Sequence, residues 1–148
     1  MMIKQSVVVL MAAAVLSVAT VVFAGASAAD DSPKGFACRF ETGHAWSYDA
    51  GKFKSEAPAA LTFDITEINL EAQAAKLISA DKSTGLVRIV RALNANHFLE
   101  AANEGFLNLT TVYDHDATSG TYPAVHSRHF GLMGQPIFAQ YAGFCTAK

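Results

Sequence analysis

Two cysteines limit what this chain can become more than any other feature. Cys38 and Cys145, the only two among 148 residues, stand near opposite ends of the chain. If they join, 107 residue steps are enclosed and only Thr146-Ala147-Lys148 follow the bridge. The first and last segments must then lie side by side, a demand that a β-sheet meets by closing on itself. Without a bridge they are two separate buried thiols, and which outcome holds depends on the redox compartment.

The N-terminus speaks to that compartment. Lys4 precedes an apolar stretch from Val7 to Leu16 that continues to Phe23 and ends in Ala24-Gly25-Ala26-Ser27-Ala28-Ala29. A basic start, an apolar middle and a small-residue end read as a secretory signal peptide over residues 1–29, cut after Ala28 or, as we expect, Ala29. The competing reading is an uncleaved anchor, since the stretch approaches the ~20 residues that span a bilayer. The small cut site and the abrupt Asp30-Asp31 favour removal, which places the mature chain in the periplasm or outside the cell. No cysteine follows the cut, so lipid modification there is unsupported, and no membrane span is expected afterwards.

What remains is 119 of the 148 residues, 30–148, enough for one domain with its own core and too few for two. Removing Lys4 from eleven basic residues leaves ten against thirteen acidic, a formal charge of −3. No run of Lys or Arg forms a stripe that could neutralise phosphates, so nucleic acid is not an expected partner.

Short β-branched and aromatic runs between turn signals predict an all-β domain, a small antiparallel meander barrel or compact sandwich of about seven to nine short strands. Phe36 to Phe40 forms one run, closed by Gly43, and His44 to Tyr48 a second with His44, Trp46 and Tyr48 on one face, before a turn at Asp49-Ala50-Gly51. Leu61, Phe63 and Ile65 alternate with Thr62, Asp64 and Thr66, and the phase shift at Ile68 predicts a bulge near Glu67. Glu71 to Ala80 has helical spacing as well as strand-like neighbours, and is read as strand. Runs follow at Leu86–Leu93, His97–Ala101, Phe106–Tyr113, Ala124–Phe130 and Ile137–Phe144. Fourteen mature aromatics supply bulk to fill a barrel, so a lipid-carrying cavity is allowed but not implied.

Reactive side chains gather in Asp114-His115-Asp116, Tyr122 and His126-Ser127-Arg128-His129. Imidazole and carboxylate can ligate a transition metal, but His126 and His129 face opposite sides of a strand and no H-E-x-x-H helix exists, so neither metal nor cofactor is expected. Ser127 with His129 as base and Asp114 or Asp116 behind it could form a hydrolytic set, yet the G-x-S-x-G elbow is missing. Arg88 and Arg91 fall on opposite faces of their strand, and a solvated or structural role outweighs an anion site. Asn108-Leu109-Thr110 matches a glycosylation acceptor but lies inside an expected strand.

The expectation is therefore an exported, non-catalytic domain that binds an envelope or extracellular component. Its candidate surface comprises His115, Tyr122, His126, Arg128, His129 and Tyr141, around a long polar Asp114–Pro123 loop expected to be mobile or functional. Competing classes are a small apolar-ligand carrier and, behind it, a metal-assisted or serine hydrolase using the Asp114–His129 region.

Overall fold

The computed structural model describes residues 32–102, 105–132 and 134–148. They form nine strands: β1 (Phe36–Asp49), β2 (Lys52–Glu56), β3 (Leu61–Asn69), β4 (Ala74–Ser79), β5 (Thr84–Arg91), β6 (Ala95–Ala102), β7 (Phe106–Tyr113), β8 (Tyr122–Leu132) and β9 (Gln135–Ala147). From β3 onward each strand pairs antiparallel with its successor, and β9 returns to β1. The result is an eight-stranded closed barrel, with β2 as an outer strand paired to the upper half of β1.

The core follows from period-two alternation. Phe36, Cys38 and Phe40 of β1 point inward with Phe63 and Ile65 of β3, Ile89 of β5 and Phe98 of β6. Phe40, Ile65, Ile89 and Phe98 are at most 1% exposed and occupy the barrel interior. Phe40 stacks on Phe63 at 5.4 Å, while Phe36 meets Tyr122 edge-on at 5.0 Å near the lower mouth. Aromatic pairs of this kind add about 0.5–1.5 kcal/mol beyond the area they bury.

Cys38 and Cys145 are direct cross-strand partners in the β1–β9 pairing and are joined by a disulfide, with Cα atoms 4.0 Å apart. The covalent bridge therefore sits on the seam that closes the barrel.

Three features depart from the sequence reading. The first two expected runs are one fourteen-residue strand, because Gly43 does not end β1. A Cβ at Gly43 would lie 2.7 Å from the Gln140 carbonyl oxygen and 2.9 Å from the Tyr141 ring, so glycine here permits close approach of β9. A register shift between Phe40 and Thr42 reverses the pleat, turning His44, Trp46 and Tyr48 outward. Strand β2 was not anticipated; it folds back on β1 through Ala50 (φ 46°) and Gly51 (φ 81°), the two positive angles of a type I′ hairpin. Finally, Glu71–Ala80 is strand only from Ala74 to Ser79, after a turn in which Gln73 has φ 53°. The bulge near Glu67 is present, with φ 52° at Glu67 and a register shift between Thr66 and Asn69.

Candidate functional site

The six candidate residues do not form one surface. His126 and Tyr141 are 3% and 7% exposed and belong to the core, which corrects their placement on a binding face. The reason is phase: β8 turns Ala124 and His126 inward and Val125, Ser127 and His129 outward, and β9 turns Tyr141 and Cys145 inward. Arg128 is half-buried and shares the inward phase of His126. Tyr122 lies at the lower mouth against Phe36 and His115, with ring centroids 5.0 and 5.1 Å away. His129 is exposed on the outer face near the other end of β8.

That dispersal separates the side chains of the Ser127–His129–Asp114/Asp116 set. Ser127 and His129 share the outer face, but seven strand rises, about 23 Å, separate His129 from the end of β8 that adjoins Asp114 and Asp116. Among the described residues no three His, Cys, Asp or Glu side chains converge as metal ligands.

The loop between β7 and β8 uses its polar groups on itself. The Asp116 backbone N–H donates to the Thr121 carbonyl at 2.8 Å, Gly120 N–H to the Asp116 carbonyl at 2.8 Å, and Thr118 N–H to the Asp116 carboxylate at 2.9 Å. The Thr118 bond, followed by one from Ser119, holds the exposed Asp116 carboxyl below the usual carboxylate value. The long polar loop expected over Asp114–Pro123 carries an internal bridge between Asp116 and Thr121, and its last two residues belong to β8.

Inside the barrel, three polar side chains form a cross-strand row. Glu100, Asn108 and Arg128 are successive partners on β6, β7 and β8. Asn108 donates to Glu100 at 2.7 Å, and Glu100 occupies the space over Gly85, where a Cβ would overlap its carboxylate. Asn108 therefore points into the barrel, which argues against sugar attachment at this position. One residue deeper, Thr110 and His126 Nδ1 are 2.8 Å apart, with the Phe63 and Phe40 rings 5.1 and 5.7 Å from the imidazole. Burial, and secondarily the charge of Arg128, push the His126 pKa down to about 4, so the ring is neutral at pH 7.

The outer surface is divided. Charged side chains occupy lower β1, β3, β4 and β5, with ion pairs Arg39–Glu41, Asp64–Lys148 at 2.5 Å and Lys76–Glu67 at 2.8 Å, and with Arg88 on β5. The outward positions of β6 to β9 hold no Asp, Glu, Lys or Arg at all. They are Ala95, His97, Leu99 and Ala101 on β6, and Leu107, Leu109, Thr111 and Tyr113 on β7, of which Ala95 and Thr111 are buried at 6% and 8% exposed. On β8 they are Pro123, Val125, Ser127, His129 and Gly131, and on β9 they run from Pro136 through Phe138 and Phe144 to Thr146. Leu107, Val125 and Phe144 are 44%, 37% and 54% exposed.

This face continues across upper β1 onto β2 as a ladder of rings. Trp46 stacks on Phe138 at 5.0 Å and 15°, His129 on the same Phe138 at 6.4 Å and 14°, and Phe53 meets Tyr48 and Phe138 at 5.0 and 5.8 Å. Such stacking spends ring faces on one another and leaves edges toward solvent. Period-two reasoning did place His44, Trp46 and Tyr48 on one face; the missed signal was the absence of charge at alternate positions of four consecutive strands.

A separate concavity of about 1030 Å³ lies outside the barrel over β1, β3, β4 and β9, with Arg39, Asp64, Ile78 and Phe144 in its wall. Compared with protein-family models, curated proteins and solved structures, the chain matches none.

Proposed function

We propose that the chain is an exported, non-catalytic β-barrel that works by association, docking the uncharged outer face of β6–β9 onto an apolar protein surface outside the cytoplasm. The observation that carries the reading is the outward row of β6 to β9, which lacks any charged side chain and passes into the Trp46–Phe138–Phe53 ladder. Contiguous exposed apolar surface of this extent marks interaction sites on proteins that are otherwise soluble, and aromatic residues are enriched at interface centres. The signal-like residues 1–29 and the Cys38–Cys145 bridge support the compartment. Filling of the barrel by Phe40, Ile65, Ile89 and Phe98 favours docking outside the barrel over carriage of a ligand within it.

The test is contact-specific. A photoreactive benzophenone side chain at Val125, on the uncharged face, is expected to cross-link a protein in the native envelope, whereas the same group at Thr62 on β3 gives none. Equal yields at the two positions, or none at either, would refute the assignment.

A further inference from the structure

We infer that the lower mouth of the barrel is a binding site for a small organic ammonium ion, whose apolar body enters beside Phe36 and Val112 and whose charged head rests on Asp114. The inference is independent of the docking face and of whatever covers it.

Below the filled middle of the barrel, packing leaves a pocket of about 130 Å³. Its floor is apolar: Phe36, Ile68 and Val112, from β1, β3 and β7, are 3%, 6% and 2% exposed, and Leu70 lies beside them. Size limits the occupant. An apolar cavity of roughly 150 Å³ admits benzene, so a body of about six to eight heavy atoms fits here and a lipid chain does not.

The rim is polar, and strand register assembles it. Asn96 and Val112 are partners between β6 and β7, and the Asp114 N–H donates to the Asn94 carbonyl at 3.0 Å, which carries that pairing two residues further. Val112 and Ala124 are partners between β7 and β8; one inward step beyond them, the same register sets Asp114 opposite Tyr122. Asn96, Asp114 and Tyr122 thus meet at the lower ends of three adjacent strands, in the inward phase, and all three line the pocket. Among the described residues, no hydrogen bond or ion pair engages their side chains.

Chemistry selects the class. Among the described residues Asp114 is the only charged one in the wall. Its carboxylate, the Asn96 amide oxygen and the Tyr122 hydroxyl oxygen are all acceptors, and a primary ammonium brings a set of N–H donors to match them. The rings of Phe36 and Tyr122 stand at 67° with centroids 5.0 Å apart, two aromatic walls of one corner, and aromatic faces attract cations. An anion of the same size would meet the Asp114 carboxylate with no cationic side chain in the wall to offset it.

The test is a heteronuclear NMR titration of the exported protein with three probes of one shape: benzylamine, benzyl alcohol and benzoate. Benzylamine is expected to shift the amide signals of Asn96, Val112 and Asp114 saturably, about tenfold more tightly than benzyl alcohol, the value of one charge-assisted hydrogen bond, while benzoate leaves them unmoved. Asp114→Asn should weaken benzylamine by a similar factor, and Glu71→Gln, which removes an exposed carboxylate outside the pocket, should leave its affinity unchanged. Benzylamine that moves none of these signals in the millimolar range overturns the inference. So do three probes that bind the wild type alike, which would make the pocket an apolar hole indifferent to charge, and so does undiminished benzylamine binding by Asp114→Asn.

Discussion

His126 makes the stability of this barrel depend on pH in a range where carboxylates are silent. Its ring is buried among Phe40, Phe63 and Tyr141, and its pKa is about 4 against an ordinary value of 6.5. The folded state therefore binds the proton more weakly than the unfolded chain does. Stability is complete above the unfolded pKa of 6.5 and is lost as pH falls toward 4, because unfolding there takes up a proton. With those two values the linkage relation gives a loss of about 2 kcal/mol between pH 7.5 and pH 5, a large share of the ~5–15 kcal/mol that holds a domain together. Urea unfolding of wild type and His126→Gln at both pH values measures it. The wild type should lose about 2 kcal/mol more than the variant, since all other groups titrate in both. Parallel losses in the two proteins would show that the buried imidazole does not govern the acid response.

Three further outcomes follow from named contacts. Replacing Cys38 and Cys145 by Ala should cost about 4–5 kcal/mol, the chain-entropy value for a 107-residue loop, read as a lower urea midpoint with a larger m-value; a loss below about 1 kcal/mol would contradict it. Gly143→Ala should cost more than about 3 kcal/mol by thermal melting, because its Cβ would overlap the Arg39 carbonyl oxygen and lie 2.7 Å from Phe40 Cα, both backbone atoms that cannot swing away. N-terminal sequencing of the accumulated protein should begin within two residues of Asp30, and recovery of Met1 would refute export by a cleaved signal.

How much of this was legible in the letters depended on whether one face of a strand was marked. In β3, Phe63 and Ile65 alternate with Thr62 and Asp64, so phase, bulge and burial could all be read. Strand β7 was read with its observed ends, Phe106 and Tyr113, and the cysteine pair foretold the closure. In β8 the two faces are chemically alike: Ala124 and His126 on one, Val125, Ser127 and His129 on the other. With apolar and polar groups on both, periodicity cannot say which side is inside, and His126 was assigned to the surface. The same ambiguity concealed the uncharged outer face, since an apolar exterior looks like a second core. In β1 the reversal after Phe40 is a backbone event carried by the fit of Gly43 against β9, a contact made 97 residues away at Gln140 and Tyr141.

The placement of the bridge on the β1–β9 seam has a consequence for the order of events in folding. Apart from the β1–β3 pairing, which encloses β2, every other pairing in the barrel joins neighbours in sequence and needs only a short loop to close, which is fast. The seam alone must wait for the far end of the chain. Until residues 135–147 have emerged, β1 offers a long open edge to any passing strand, the hazard that makes partly folded β-proteins aggregate. Once they arrive, eleven residue pairs form along the seam and the disulfide locks a closure that chain entropy had delayed. A chain shortened by its last dozen residues would keep most of its hairpins and yet have no barrel.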